Sequence, residues 1–358
     1  MKNLGRAFNH LEDLTFFYGS AGAFEAVQHL RELQQDSSSL RMKWDGGLQI
    51  YWGRESINGP LIFTGHNGWS RGVKSSSGDD LFRFIAYDSG NTNLTADQYA
   101  DRIIFAAAFA SLYEYFDEAT PNDFVGFVYG DALYTEKQLS NNGIFDLYPN
   151  GKTGYHIREN SELGKRISDS SCMVVAHAYF PEFGMGDDQQ IPNSDFSSFG
   201  SQHVIVLNPY YASTPISIDT ESIDRYIGAN KDIIDGFLRP IERVSAFKNY
   251  IYRYTNAKAK QKQLSSLGDD FIEWLEKSNI SVNQRQKIIN RVEESPNAVE
   301  IMFKIVKYIM NLKNSVIDQL VCNPIDISTT NSEGWVRYAD ITKQFGNVKF
   351  VPRHKWLP

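Results

Sequence analysis

Two cysteines in 358 residues leave the chain with almost no thiol chemistry to offer. Cys172 and Cys322 lie far apart in no metal-ligand spacing, which argues against a disulfide framework or a cysteine zinc site and predicts reduced, buried thiols. Long apolar runs are missing too. The most apolar helical stretch, RIIFAAAFASLYEYF (102–116), is too short and too polar at its ends to span a bilayer. The opening MKNLGRAFNHLEDL lacks the apolar centre of a signal peptide, so a cytoplasmic protein with no membrane partner is expected. There is no internal repeat, no low-complexity tract, and no G-x-S-x-G, H-E-x-x-H or paired C-x-x-C. ELGKRI (162–167) lacks the first glycine of a P-loop, and Arg166 stands where Ser or Thr would bind magnesium. Positive charge is in deficit as well: 36 Lys and Arg against 43 Asp and Glu give −7, which disfavours indiscriminate binding to nucleic acid.

What is present suits one large domain or two ordinary ones, with 42% hydrophobic and 22% charged residues. Helical spacing of Phe24, Val27, Leu30 and Leu33 predicts a first helix, broken by DSSS. GLQIYWG, the turn RESING and PLIFTG predict a β-hairpin over Leu48–Thr64. A helix is expected around Ala100–Tyr115, then strands in DFVGFVYGDALY, SCMVVAHAYF and HVIVL, all rich in β-branched and aromatic residues. From Asp219 the period becomes helical for about a hundred residues, clearest in the apolar stripe of 297–320. The last stretch returns to short β-like segments. This order predicts an α+β fold made of residues 1–217 and 326–358, with an all-helical module inserted at 218–325. Inside that module the positive charge is concentrated: Arg239, Arg243, Lys248, Arg253, Lys258, Lys260 and Lys262 run with Glu242 as the only acid, interleaved with Phe247 and Tyr250, Tyr252 and Tyr254. Such a segment is either a stripe that holds a polynucleotide or a solvated helix face with core tyrosines.

One short motif raises the question of chemistry. Lys43-Trp44-Asp45-Gly46 is K-x-D-G, which residue frequencies alone would produce in roughly one chain in ten of this length. Taken singly, Lys43 reads as a solvated turn lysine, Asp131 as turn chemistry, Tyr179 and Phe180 as core, and His177 as a satisfied strand histidine. The ordered companions change the weight. GHNGWSRG with Ser70-Arg71, FVYGDAL with Gly130-Asp131, MVVAHAYF, Glu333-Gly334-Trp335-Val336 and NVKFVPR around Lys349 follow in sequence. Together these segments resemble motifs I, Ia, III, IIIa, IV and V of the covalent nucleotidyltransferases: ATP-dependent RNA and DNA ligases and mRNA capping enzymes. The layout also resembles an uncharacterised group of tailed-phage proteins, which would place the chain in the host cytoplasm.

The resemblance implies a ligase-type adenylation domain with antiparallel sheets, acting with ATP and Mg²⁺. Lys43 would be the nucleophile that forms lysyl-AMP, and Lys349 would neutralise charge on the phosphate. Glu333 and Asp131 would hold metal or its waters, or the ribose hydroxyls. Asp45, Gly46, Arg71 and Arg353 would contact the nucleotide, with Tyr179, Phe180 or His177 stacked on its base. Arg243, Lys248, Arg253 and Lys258 would hold the polynucleotide, RNA in preference to DNA. The chain departs from the pattern at Leu48, where Arg or Asn is usual, with Arg54 or Arg71 as substitutes. It departs again at Asn347 or Val351, one of which replaces a motif V lysine, and at Asp131 in place of Glu. Nine residues follow Lys349, too few for the OB-fold of DNA ligases and capping enzymes, so the expectation leans to RNA ligases. A guanylyltransferase or DNA nick ligase is the alternative in the same chemistry, and an inactive protein that binds nucleotides or nucleic-acid ends is the alternative outside it.

Overall fold

In chain order, β1 (Asn9–His10) leads into the long helix α1 (Asp13–Gln35), and β2 (Leu40–Met42) ends at Lys43. The expected hairpin is present as β3 (Leu48–Arg54) and β4 (Ile62–Gly65), followed by α2 (His66–Arg71), α3 (Gly78–Arg83), α4 (Ala96–Ala110) and α5 (Leu112–Ala119). Then come β5 (Gly126–Tyr134), β6 (Ile144–Leu147), β7 (Tyr155–Arg158), α6 (Glu162–Asp169), β8 (Cys172–Phe180), β9 (Ile191–Pro192) and β10 (Val204–Leu207). The helical stretch is α7 (Glu221–Leu238), α8 (Ser245–Lys260), α9 (Phe271–Lys277), α10 (Val282–Glu294) and α11 (Pro296–Gln319). Three short strands follow, β11 (Ile327–Thr329), β12 (Trp335–Arg337) and β13 (Val348–Phe350). The computed structural model describes residues 9–88, 93–151, 153–186, 189–192, 194–238, 245–320, 327–329, 334–337 and 347–353. Among these no helix is long and apolar enough to cross a membrane.

The architecture is mixed α and β, but the division is not the expected insertion. One unit comprises Met1–Lys43, Tyr211–Val321 and Gly334–Pro358; the other comprises Trp44–Tyr210 and Cys322–Glu333. The helical stretch is not a module of its own because α1, α7 and α11 pack on one another and supply each other's apolar cover. Gly19 shows how closely. Its φ of +67° kinks α1, and a Cβ there would lie 2.4 Å from Asp235 Oδ1 on α7. That carboxylate instead accepts hydrogen bonds from the Ser20 N–H and hydroxyl, both at 2.7 Å. Where one helix was expected near residues 100–115 there are two, and at the break the Ser111 hydroxyl donates to Ala108 O at 2.7 Å, competing with the helical ladder.

The first unit contains a four-stranded sheet in the order β1-β13-β12-β2. The second contains a larger sheet in the order β10-β8-β5-β3-β4, with β9 on β8, and a smaller one in the order β11-β7-β6. Strand alternation gives the larger sheet two different faces. Ile50, Trp52, Val128, Val174 and Ala176 share a buried cluster with Phe109, Leu112 and Phe116 of α4 and α5. Tyr51, Phe127 and Phe180 form a second cluster with Trp69 on the opposite face.

Candidate functional site

The polar residues of the larger sheet gather on the face opposite the α4 and α5 cluster. Between Tyr129 and Gly130 the β5–β8 register shifts, pairing Tyr129 with Ala178 and Gly130 with Ala176, so His177 is the extra residue of a bulge. Its Nε2 lies 3.2 Å from Asp131 Oδ2. The Tyr129 hydroxyl donates to Asp131 Oδ1 at 3.3 Å and accepts from Gln49 Nε2 at 3.1 Å. Gln49, Tyr129, Asp131 and His177 are therefore one linked group, backed by the Tyr51 ring stacked on Tyr129 at 5.0 Å. A single carboxylate surrounded by a hydroxyl, an amide and an imidazole suits hydroxyl and amine groups of a ligand.

The D-G-G turn passes directly over this group's edge. A Cβ on Gly46 would lie 2.4 Å from the Asp131 Cβ, and one on Gly47 would lie 2.2 Å from Pro149 O, so only glycine lets the backbone through. The Gly47 N–H donates to Ala132 O at 3.0 Å. Asp45 is anchored by its own N–H donating to the Tyr155 hydroxyl at 2.8 Å. Beyond the turn, alternation sends Leu48 toward the buried cluster and Gln49 to the polar face. Gly47, Leu48 and Gln49 also line an open cleft of about 730 Å³ with His66, Arg102 and Phe105, a volume in the range of small-ligand sites.

The first unit collects the cations. Register aligns His10, Lys349, Val336 and Arg41 across β1, β13, β12 and β2, so these side chains share one face of the four-stranded sheet. The alternate positions, Leu40, Met42, Trp335, Val348 and Phe350, are fully buried. Lys43 extends β2 by one residue, its N–H donating to Gly334 O at 2.8 Å, and alternation returns it to the Arg41 and Lys349 face. Burial pushes the Lys349 ammonium below its ordinary value; Asp13 opposes this, while Lys43, Arg353 and Lys313 add to it. The sheet thus brings Lys43, Gly334-Trp335-Val336 and Val348-Lys349-Phe350 together from opposite ends of the chain.

Other expected site residues stand elsewhere. Arg353 is no nucleotide contact: it is fully buried and bonded to Glu12, Asp13 and Asn256. Phe180 is completely enclosed beside Trp69 and Phe127, so its ring offers no open surface to a base. Tyr179 lies on the other face from Asp131, with its ring against Gly126 and its hydroxyl donating to Val125 O at 3.1 Å. Alternation at the end of β8 separates these two aromatics, which sequence adjacency had joined. Arg71 ends α2, exposed, donating to Asp88 O at 2.7 Å with its guanidinium over the Phe84 ring. Arg54 is buried and spent on Gly59 O, Asp117 and Thr120 O. Glu333 and Arg243 lie outside the described residues.

Two of the lysines expected to hold a polynucleotide are engaged within the protein instead. Lys248 donates to Phe17 O at 2.5 Å, and Lys258 is buried with its ammonium 2.6 Å from Asp270. Arg253 stays exposed, over the Tyr250 ring. The tyrosines were the signal: Tyr254 is wholly buried against Phe271, Trp274 and Phe303, and a helix that buries one face must turn or pair the lysines on its flanks. Sequence reasoning missed Gln49 and Tyr129. Both were findable by alternation, Gln49 as the first polar residue after the inward Leu48 and Tyr129 two residues before Asp131.

Among the described residues no group of three or more His, Cys, Asp or Glu side chains is placed to hold a metal ion. Magnesium carried on substrate phosphates keeps most of its water and needs only one or two carboxylates, a demand that Asp131 fits.

The chain belongs to a family of unknown function, DUF6267, whose model matches residues 97–356. No curated protein and no solved structure matches it.

Proposed function

We propose that the chain is an ATP-dependent, RNA-ligase-like adenylyltransferase with a ligase-type adenylation domain, which joins the 5′-phosphate and 3′-hydroxyl ends of a polynucleotide through lysyl-AMP on Lys43. The observation that carries this reading is the pairing of β2, β12 and β13. It sets Lys43 on Gly334 and turns Lys349 to the same sheet face, although the three segments come from opposite ends of the chain.

In the first step the Lys43 ammonium loses its proton to solvent, Nζ bonds to the α-phosphorus of ATP, and the bond to pyrophosphate breaks. Lys349 and Arg41 then offset the charge gathering on the phosphate oxygens. Bound magnesium would supply further charge neutralisation at the triphosphate. Asp131, Tyr129 and Gln49 accept and donate to the ribose hydroxyls or the base edge. A 5′-phosphate oxygen next takes the adenylyl group and frees Lys43; a 3′-hydroxyl displaces AMP and seals the strand.

The test is incubation with α-labelled ATP or GTP and Mg²⁺. Covalent label is expected in the wild type and to fall at least about a thousandfold in Lys43→Ala. The nucleotide that labels separates ligase from guanylyltransferase, and sealing assays on RNA, DNA and hybrid duplexes name the substrate. Absence of label with either nucleotide, from folded protein, sinks the reading. One observation favours a non-catalytic nucleotide-binding protein in that event: the second basic group of motif V is missing, with Val351 packed against Gly334 and Arg353 consumed internally.

A further inference from the structure

Next to the Lys349 strand, the first unit buries a cluster of ions that the proposed chemistry does not use. Glu12, Asp13, Lys313 and Arg353 are all 1% exposed or less, and His10 is 3% exposed. Lys313 Nζ donates to both Glu12 oxygens, at 2.9 and 2.8 Å, and lies 3.5 Å from His10 Nδ1. Arg353 donates to Glu12 at 3.2 Å, to Asp13, and twice to Asn256 Oδ1 at 3.1 and 2.9 Å, with its guanidinium over the Tyr252 ring. The network joins the entry of α1, α8, α11 and the segment after β13.

Four fully buried charges are expensive to desolvate, and well-packed apolar residues commonly serve stability as well or better. A role beyond folding is therefore worth seeking in what the network adjoins. His10 is the register partner of Lys349 in the parallel β1–β13 pair, so the two side chains lie on one face. Glu12 and Asp13 follow His10 by two and three residues, and Arg353 follows Lys349 by four. The network is thus tied to both strands at the point where Lys349 projects. Its two carboxylates balance Lys313 and Arg353, while Lys349 and Lys43 are cations added to that neutral set. His10 contributes no charge at neutral pH, held well below its usual value by burial and by Lys313, Arg353 and Lys349. The charged groups acting on Lys349 are then Asp13 in its favour and Lys43, Arg353 and Lys313 against it.

We infer that Asp13 is a positioning residue for Lys349: its buried carboxylate, bonded to Arg353 four residues beyond Lys349 and three residues after the strand partner His10, fixes the strand that carries Lys349 and sets the charge around it. The inference rests on the adenylyltransferase reading for its purpose, but its electrostatics can be measured without it.

The experiment uses the full chain with ε-¹³C-labelled lysine, the Lys349 resonance being assigned by its loss in Lys349→Arg. Asp13→Asn removes the favourable charge and is expected to lower the Lys349 titration midpoint by about one pH unit. Arg353→Gln removes an opposing charge and is expected to raise it. A network that served only to hold the fold would move both variants in the same direction or neither. The alkaline limb of the Lys43 labelling profile should follow the midpoint down in Asp13→Asn, and the double variant Asp13→Asn with Lys349→Arg should lose that sensitivity, because a guanidinium keeps its proton. Either folded single variant decides the matter, and a Lys349 midpoint unmoved in it overturns the inference. Wild type that carries no label sinks the adenylyltransferase reading instead.

Discussion

The sheets of the two units handle polar groups in opposite ways. In the first unit one sheet face carries a largely buried cationic row, with Arg41 and Lys349 in register and Lys43 one step beyond, and the buried carboxylates Glu12 and Asp13 follow closely on His10, the register partner of Lys349. In the second unit the linked polar group is built around one carboxylate: Asp131 is satisfied by Tyr129 and His177, and Gln49 extends the chain of hydrogen bonds. The difference teaches which chemical groups each face suits. A cationic row matches phosphate oxygens, whereas a hydroxyl, an amide and a carboxylate match sugar hydroxyls and base edges.

The largest effect expected is on stability, where the buried network can be set against the apolar core. Lys313→Met leaves Glu12 buried with Arg353 as its remaining partner, and breaking a buried pair in this way costs about 3–5 kcal/mol. Phe116→Ala, in the core of the second unit, costs about the same through cavity formation. Urea denaturation at pH 7 and pH 5 tells them apart. The Lys313→Met penalty should shrink at pH 5, because Glu12 without its lysine can relieve its burial by taking a proton, while the Phe116→Ala penalty should not change. A penalty for Lys313→Met that is equal at both pH values would show that the network is not held by charge.

That network was invisible in the sequence for a physical reason. Glu12, Lys313 and Arg353 are single charges scattered over three distant segments, and only the tertiary path through α1, α11 and β13 makes them neighbours. Local periodicity, in contrast, was legible for the β3–β4 hairpin and the α11 stripe, which follow from spacing alone, though not for the break at Ser111 between α4 and α5. Sequence order could not show that α1 joins the later helices, since nothing local says which apolar stripe covers which. The candidate site was legible as a set of segments, because β2, β12 and β13 do meet. It was less legible residue by residue, because the bulge at His177 and the alternation after it decide which aromatics of β8 face Asp131.

The comparison can next be broken at Lys349. Lys349→Ala should lower the rate of Lys43 labelling at neutral pH by about a hundredfold to a thousandfold, the usual loss when one group that stabilises a developing oxyanion is removed, with little change in the KM for ATP. Gln49→Ala and Tyr129→Phe should do the reverse, raising KM by about tenfold at most and leaving kcat nearly intact, in line with single hydrogen bonds to a bound ligand. Steady-state and single-turnover labelling separate the two parameters. If Tyr129→Phe lowers kcat as strongly as Lys349→Ala does, the assignment of Tyr129 to ligand binding alone is wrong.

The smallest effect concerns a carboxylate of the first unit that is paired with a cation near the surface, unlike Asp131. Asp270 accepts from Lys258 at 2.6 Å and from the Tyr254 hydroxyl at 2.7 Å. Burial pushes its carboxyl up, but the bonds from Lys258 and Tyr254 outweigh that and hold it below its usual 3.8. A depressed carboxylate stabilises the fold above its unfolded value and loses that contribution as the pH falls through the folded one. Asp270→Asn should therefore lower stability by a constant amount from pH 7 down to about 4, under about 1 kcal/mol because the carboxylate is more than a third exposed. Below pH 3.8 the two proteins should converge. Thermal melts across that range check it, and a difference that grows as the acid limit is approached would mean that the Lys258 pair strains α8 and α9 instead of joining them.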